Sequence, residues 1–307
     1  MAVKPTLLVL AAGMATRYGS LKQIDSFGPN GETIIDYSLY DAIRAGFGKV
    51  IFVIRQSIAE EFKAVMQHKF TGQIEIDFVS QELDNLPAGF SVPPNRVKPW
   101  GTAHAVWVAT SKIKEPFAII NGDDFYGRES FKIIADFLQK TTSDGCLVGY
   151  RLANTISENG AVSRGICETD AVGYLTCITE QTHIEQTETG IMALQTGKNA
   201  ILLPPDQIVS MNLMGFPASI LSYFENYLQQ FLAAATDNPK AEFFLPGVID
   251  KLVQANTIRV KVLPTPEKWF GITYPADKPI AKAALRQLTA AGIYPAHLES
   301  TPLAEIK

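Results

Sequence analysis

The sequence has little of what builds disulfide frameworks and structural zinc sites. It contains three cysteines, Cys146, Cys167 and Cys177, with no Cys-x-x-Cys pair, and four histidines without a His-x-x-x-His spacing. An odd, sparse set of cysteines argues against disulfide bonding, and a structural zinc site usually needs closely spaced thiolate and imidazole ligands. We therefore expect a protein of the reducing cytoplasm.

Long apolar runs and a strong excess of charge are absent as well. No stretch reaches the length of a membrane span, and the apolar residues near the N-terminus lead into a glycine loop instead of a signal-peptide cleavage site. The net charge of -4 gives no reason to expect a broad surface for nucleic acid or anionic lipid. The remaining composition, 47% hydrophobic and 19% charged, is that of an ordinary globular protein.

Two common nucleotide-binding fingerprints are missing too. The sequence has neither the Gly-Lys-Ser/Thr of a Walker A loop nor a Gly-x-Gly-x-x-Gly stretch. These absences count against a P-loop enzyme and against hydride transfer with a dinucleotide. His104 has no evident nucleophile or partner in the sequence, so we expect a packed or solvated helix residue there and not a catalyst.

Strand patterns alternate with helical patterns through the first half of the chain. This alternation predicts a parallel sheet covered by helices on both faces, with ligands bound beyond the carboxyl ends of the strands. The predicted strands are Thr6–Ala12, Lys49–Ile54, Gln73–Val79 and Phe117–Asn121, and the predicted helices are Thr33–Gly46, Ser57–Phe70 (with Ser57 as N-cap) and Gly101–Ile113.

Short strand patterns separated by turns dominate from Asp144 onward, which predicts antiparallel or mixed strands added to the first half. We also expect helices at Ile220–Ala235, Pro246–Ala255 and Pro279–Ala291 and a strand at Ile258–Leu263. No repeat or linker is evident. We therefore expect one domain over residues 1–307, with a nucleotide-binding half at 1–143 and an acceptor-binding half with a closing helix at 144–307.

A glycine loop follows the first strand, in the stretch LVLAAGMATRYGSLKQ at residues 8–23. Gly13 and its small neighbours allow backbone N–H groups to approach an anion closely, and oriented amides carry a fixed partial positive charge. Arg17 adds a planar fork for phosphate oxygens, and Lys22 adds a point charge. This set suits a nucleoside triphosphate, and the alternative is a surface turn with two solvated cations.

A second marked loop, NGDDFYG, begins at Asn121 after the fourth predicted strand. A carboxylate at the end of a strand can hold Mg²⁺ against triphosphate oxygens, since Mg²⁺ prefers one or two carboxylates together with phosphates and waters. Asp123 is the candidate ligand, and the alternative is an ordinary acidic turn. Both loops leave carboxyl ends of strands, so we expect them to face one site.

The stretch LAAGMATRYGSLK resembles the N-terminal signature of sugar-phosphate nucleotidyltransferases, the nucleotide-sugar pyrophosphorylases. The resemblance implies a Rossmann-like, GT-A-like α/β fold with a central mixed, mostly parallel sheet flanked by helices and a smaller antiparallel sugar-binding lobe. It implies catalytic roles for Arg17, Lys22 and Asp123 and a requirement for Mg²⁺. The nucleotide-binding residues that it implies in the loop are Leu10, Ala11, Ala12, Gly13, Met14, Ala15 and Thr16.

Later segments resemble the same family in the same order. GTAHAVWVA, residues 101–109, is similar to the segment that contacts base and ribose, with Gly101 close to the base and Thr102 as a helix cap. Gln81 fits the base-reading glutamine, whose amide can donate and accept. Nineteen residues separate Gln81 from Gly101, more than is usual in the family, and long loops of this kind are functional or mobile.

On the acceptor side, the resemblance implies sugar contacts from Gly160, Glu180 and Asn212. Gly271 stands where the family has a metal-binding aspartate, so either Asp277 or Asn212 is the second metal ligand, or one carboxylate suffices. Gln181 stands where the family often has a phosphate-binding lysine. The cations that remain for this role are Lys198, Arg164 and Lys268.

The function implied is transfer of a nucleotide from UTP or dTTP to a sugar 1-phosphate, with release of pyrophosphate. The short spacer between Arg17 and Lys22 leaves a cytidylyltransferase for a non-sugar phosphoalcohol as one alternative. A catalytically silent nucleotide-sugar sensor is the other. The expected partners are these small molecules, without nucleic acid or membrane, and a homo-oligomer is possible.

Overall fold

The fold is known from a computed structural model that describes residues 3–13, 25–140, 143–157, 159–194, 200–235, 238–272 and 274–299. The strands are β1 (Thr6–Leu10), β2 (Lys49–Ile54), β3 (Glu75–Ser80), β4 (Phe117–Asn121), β5 (Asp124–Phe125), β6 (Gly145–Arg151), β7 (Val162–Thr169), β8 (Leu175–Thr187), β9 (Gly190–Ala193), β10 (Ile201–Leu203), β11 (Ile208–Phe216), β12 (Val260–Pro264) and β13 (Phe270–Gly271). The helices are α1 (Ile34–Ala45), α2 (Ala59–Met66), α3 (Thr102–Val108), α4 (Arg128–Lys140), α5 (Phe224–Ala234), α6 (Leu245–Gln254) and α7 (Asp277–Ala290).

Eleven strands within these ranges form one sheet. Its order is β10-β9-β8-β7-β11-β4-β1-β2-β3, and β6 joins β12 to β11. The strands β4, β1, β2 and β3 pair in parallel, whereas β11 and the strands beyond it pair antiparallel. The expected α/β fold with a parallel centre and antiparallel strands from the second half is confirmed. These antiparallel strands continue the central sheet.

Two apolar layers cover the two faces of the sheet. Along β1, Leu7 and Val9 pack with α1, α2, α4 and α7, and Leu8 packs with α3, α5 and α6. The period of two along a strand sends alternate side chains to opposite faces, so a strand covered on both faces reads as one apolar run. None of the described helices has the length and apolar character needed to cross a membrane.

Most predicted boundaries lie within a few residues of the observed ones. Thr33 caps α1 through a capping box with Asp36, and Gly46 ends it at φ 95°, in the left-handed region. Ser57 is not an N-cap, because a short 3₁₀ turn, Gln56–Ile58, precedes α2. Helix α4 was not predicted, although its buried residues follow helical spacing: Ser130, Phe131, Ile134, Ala135 and Leu138.

The segment after α7 supports the strand that follows Asp123. The ring of Tyr294 contacts Tyr37 and Phe125, with centroid distances of 4.9 and 6.1 Å. Its hydroxyl donates to Asp41 Oδ2 at 2.6 Å. The other carboxyl oxygen of Asp41 is buried and has no hydrogen-bond partner among the described residues. Burial raises the pKa of Asp41 to about 8, while the Tyr294 hydroxyl opposes the rise.

Asp41→Asn is expected to remove a pH dependence from stability. Asp41 has an ordinary pKa of about 4 when unfolded and about 8 when folded, so the folded state holds the extra proton between these values. The free energy of unfolding of the wild type should therefore fall as pH rises from 5 to 9, by on the order of 1–3 kcal/mol relative to Asp41→Asn. Urea titrations at both pH values measure this difference.

The exposed Asp206 provides a matched control, because Asp206→Asn makes the same chemical change without burial. Its stability should follow the wild-type profile. Parallel profiles for the wild type and Asp41→Asn would contradict the assignment.

Candidate nucleotide-binding cleft

A cleft of about 370 Å³ opens at the carboxyl ends of β1 and β4. Both marked loops reach it, as the rule for open α/β sheets predicts. The described residues that line it are Leu10, Ala12, Gly13, Gln81, Lys98, Pro99, Gly101, Thr102, Ala105, Asn121, Asp123 and Glu242.

The structure thus brings most of the predicted nucleotide-binding residues together, but not all of them. Ala11 is 1% exposed and packs in the apolar layer beneath the cleft. Five residues of the sequence-based site lie outside the described ranges: Met14, Ala15, Thr16, Arg17 and Lys22.

The floor of the cleft is built by the pairing of β1 with β4. Leu10 lies opposite Asn121, and Gly122 N–H donates to Leu10 O at 2.9 Å. A Cβ at Gly122 would lie 3.1 Å from Ala11 Cβ, so small residues let the two loops pass this closely. Gly13 and Asp123 follow these strands and both line the cleft.

The two adjacent carboxylates have different surroundings. Asp124 is buried, and its Oδ2 accepts from Asn121 Nδ2 at 2.8 Å and from the Tyr126 hydroxyl at 3.3 Å. Burial raises the pKa of Tyr126, so this hydroxyl stays protonated and donates. Asp123 is only half-buried and lines the cleft. Asp124 therefore holds the loop in shape, and Asp123 is the carboxylate of this pair that lines the cleft.

The residues present suit a magnesium ion that is held partly by phosphate. No group of three or more His, Cys, Asp or Glu side chains gathers within the described part of the chain. Mg²⁺ typically takes one or two carboxylates and completes its shell with phosphate oxygens and waters. Asp123 supplies such a carboxylate at the cleft.

Asp277 lies away from the cleft, whereas Gly271 lies beside the loop that carries Asp123. Asp277 does not line the cleft, since its carboxylate accepts from Tyr274 N at 2.7 Å and from Asn159 Nδ2 at 2.8 Å. Gly271 pairs with Asp124, and a Cβ at Gly271 would lie 2.5 Å from Asp124 Oδ1. A side chain at residue 271 would thus collide with the carboxylate of Asp124.

The long segment 82–100 contributes Lys98 and Pro99 to the wall of the cleft, and Trp100 and Arg96 anchor it to the domain. Trp100 is 2% exposed and donates through its indole N–H to Leu83 O at 2.8 Å. The guanidinium of Arg96 lies 3.6 Å from the Trp100 ring centroid, within cation–π range. Arg96 also donates to the carbonyls of Pro239, Pro99 and Ala241. Buried contacts of this number fix the segment to the domain.

Two charged residues that sequence reasoning missed, Lys98 and Glu242, form an ion pair at the cleft. Phe243 N–H donates to Trp100 O at 2.6 Å, and Ala103 N–H donates to Phe243 O at 3.0 Å. These bonds place Glu242 beside residues 98–102. The only signal in the sequence was the unusual length of the segment that carries Lys98.

Thr102 does not have the predicted role of a helix cap, and Gly101, which lines the cleft, also packs against a distant part of the backbone. Gly101 has φ 115°, and a Cβ there would lie 2.6 Å from Phe243 O, so glycine is needed for packing against the Phe243 backbone. Thr102 does not cap α3, because Gly101 is its N-cap. The Thr102 hydroxyl instead accepts from Leu245 N–H, at the first residue of α6, at 2.9 Å.

Gln81, which lines the cleft, forms a buried hydrogen bond with His104. Gln81 Nε2 lies 3.0 Å from Gly101 O and 3.0 Å from His104 Nδ1. His104 Nε2 lies 2.7 Å from Asn85 O. His104 is fully buried, and burial lowers its pKa to about 4. The expectation of a packed histidine is confirmed, and its ring contacts a predicted base-reading residue.

The described residues that line this cleft include none of the three predicted sugar contacts, Gly160, Glu180 and Asn212. Gly160 lies against the Tyr274 ring, near Asp277. Asn212 has φ 64° at an irregularity of β11, where the Tyr126 hydroxyl, whose hydrogen Asp124 shares, also lies 3.0 Å from the carbonyl of the preceding residue, Met211 O. Glu180 lies opposite Gly165 in the pairing of β7 with β8.

Arg164, one of the candidate cations of the acceptor side, is buried. It is 6% exposed, lies 4.6 Å from the Trp269 ring centroid, and donates to Thr155 Oγ1 at 3.1 Å. Burial lowers its pKa to about 10, so it stays charged at neutral pH. Partial desolvation raises the pKa of Glu180, and the charge of Arg164 opposes that rise. These contacts make Arg164 a support for the hairpin formed by β7 and β8.

Comparison with known proteins agrees with this geometry. The family described as nucleotidyl transferase matches residues 8–181. The inositol-1-phosphate CTP transferase from T. maritima has a similar fold, with a TM-score of 0.63, 14% identity, and coverage of 93% of this chain and 96% of that chain. No match was found among curated proteins. The matched region spans more than half of the chain and includes the glycine loop, Gln81 and Asp123, so the chain belongs to the nucleotidyl transferase family.

Proposed function

We propose that the protein transfers a nucleotidyl group from UTP or dTTP to a sugar 1-phosphate and releases pyrophosphate. The observation that carries the proposal is the meeting of Gly13, Gln81 and Asp123 in one cleft at the carboxyl ends of parallel strands. Gly13 suits the phosphates, Gln81 suits the base, and Asp123 suits the metal ion that accompanies a triphosphate.

The reaction needs no nucleophilic side chain. A phosphate oxygen of the acceptor is ionised at neutral pH and attacks the α-phosphorus in line. The new P–O bond forms as the bond between the α-phosphorus and the bridging oxygen breaks, and pyrophosphate leaves. Catalysis then depends mainly on positioning and charge neutralisation.

Each residue of the proposed site has a part in that positioning. Arg17 and Lys22 neutralise the triphosphate and the leaving pyrophosphate. Asp123 would hold Mg²⁺, which supplies further neutralisation of phosphate charge. Gly160, Glu180 and Asn212 are the proposed contacts to the sugar.

A cytidylyltransferase acting on a phosphorylated non-sugar alcohol is the second candidate. The short spacer between Arg17 and Lys22 favours it, as does the fold shared with a protein described as an inositol-1-phosphate CTP transferase. At 14% identity, that similarity supports the fold more strongly than the choice of substrate.

Asp123→Asn should lower turnover at least ~10²-fold, because the amide binds Mg²⁺ poorly where charge must be neutralised. The tightening of triphosphate binding by added Mg²⁺, measured by calorimetry, should shrink in the same variant. Asp136→Asn is the matched control, since Asp136 is exposed on α4, and it should change neither quantity. Undiminished activity of purified Asp123→Asn would remove Asp123 from the metal site.

Pyrophosphate release should depend on one class of triphosphate and one class of acceptor. The assay offers UTP, dTTP, CTP, ATP and GTP with Mg²⁺, each against a pool of sugar 1-phosphates and, separately, inositol 1-phosphate. Release with UTP or dTTP and the sugar pool is the expected result. Release with CTP and inositol 1-phosphate would replace it with the second candidate, and triphosphate binding without release would point to a sensor.

A further inference from the structure

The amide of Gln81 has both of its N–H groups engaged inside the protein. One points to Gly101 O at 3.0 Å and the other to His104 Nδ1 at 3.0 Å. A flipped amide would place Oε1 against Gly101 O, and two acceptors cannot share a hydrogen bond. The nitrogen is therefore the atom that faces inward.

The histidine in turn has a single possible tautomer. Asn85 O only accepts, so His104 Nε2, at 2.7 Å, must carry the hydrogen. Nδ1 is then a lone-pair acceptor for Gln81. His104 is fully buried and has a lowered pKa of about 4, so the ring stays neutral near neutral pH.

The acceptor of the histidine proton is held in place as well. Asn85 Oδ1 accepts from Glu82 N–H at 2.8 Å, and Arg55 pairs with the Glu82 carboxylate at 3.1 Å. The series of contacts from Arg55 to Gln81 is thus continuous. It ties the orientation of one side chain in the cleft to the start of the long segment 82–100.

Gln81 Oε1 is the only polar atom of this side chain without a hydrogen bond to another described residue, and Gln81 lines the cleft. We propose that Gln81 reads the nucleobase purely as a hydrogen-bond acceptor, and that His104 is the positioning residue that enforces this. The ligand class is a base edge that presents an N–H: the ring imide of uracil or thymine, or the amino group of cytosine. The proposal rests on the proposed function and deepens it.

This arrangement corrects the sequence-based expectation that the amide of Gln81 both donates and accepts. A base that presents a lone pair at this position would face Oε1 with no hydrogen between them. Sites built around one hydrogen-bond polarity reject the mismatched ligand strongly, because buried polar groups are left unpaired.

The test uses two variants of one residue. His104→Phe keeps a planar ring and removes both ring nitrogens, so one N–H of Gln81 loses its acceptor and the amide can rotate. His104→Asn places an amide oxygen near the position of Nδ1 and can still accept from Gln81. Circular dichroism confirms that each variant is folded.

Calorimetry measures the binding of two triphosphates, one whose base carries the N–H that Gln81 is proposed to read and one whose base lacks it. The probe pair is UTP with N3-methyluridine triphosphate, or CTP with pyrimidin-2-one riboside triphosphate, according to which natural triphosphate binds better. The wild type should discriminate at least ~10-fold within the pair. His104→Phe should lose most of that ratio, and His104→Asn should keep most of it.

Two results would overturn the proposal: equal binding of both members by the wild type, or an unchanged ratio in folded His104→Phe. Because the test measures binding, it separates this proposal from the transfer reaction. Selective binding without pyrophosphate release would support the role of His104 while the transferase proposal fails. Pyrophosphate release together with an unchanged binding ratio in His104→Phe would support the transferase proposal and contradict the role of His104.

Discussion

The parallel pairing of β1 with β4 is the constraint on which the site depends. It joins segments more than a hundred residues apart, from Thr6 beside Phe117 to Leu10 beside Asn121, and ends both strands at one edge. The glycine loop and the Asp123 loop start from that edge, so their approach is fixed by main-chain hydrogen bonds. The small residues Ala11 and Gly122 leave room for this close approach.

Buried polar groups keep that edge in shape. Asp124 and Tyr126 link β5 to the irregular part of β11, and Tyr294 supports β5 from the C-terminal segment. On the acceptor side, a hydrogen bond from Arg164 joins β7 to Thr155. Each of these groups is partnered, as burial of polar atoms requires. These bonds support the strands and loops next to the cleft, and electrostatic catalysis depends on such preorganisation.

The features that follow local rules could be predicted from the sequence. The ends of β2 and β4 follow from apolar runs, and Asp123 at the cleft follows from the position of ligands in parallel sheets. The contacts that could not be predicted join residues that lie far apart in the sequence. The Thr102 hydroxyl meets Leu245, Gly101 packs on Phe243, and no local pattern brings Glu242 to the cleft. Periodicity encodes which face of an element is buried, and it does not encode which distant carbonyl an amide meets.

The wall formed by segment 82–100 has a consequence for how such a pocket can be exchanged between proteins. Arg96 donates to carbonyls of its own segment and of residues 239 and 241, and Phe243 N–H bonds to Trp100 O. A graft of residues 82–100 alone would leave a buried guanidinium facing foreign backbone. The transplantable unit is discontinuous, because it consists of this segment together with the stretch around residues 239–243. An exchange of this wall between related proteins therefore has to move both pieces at once.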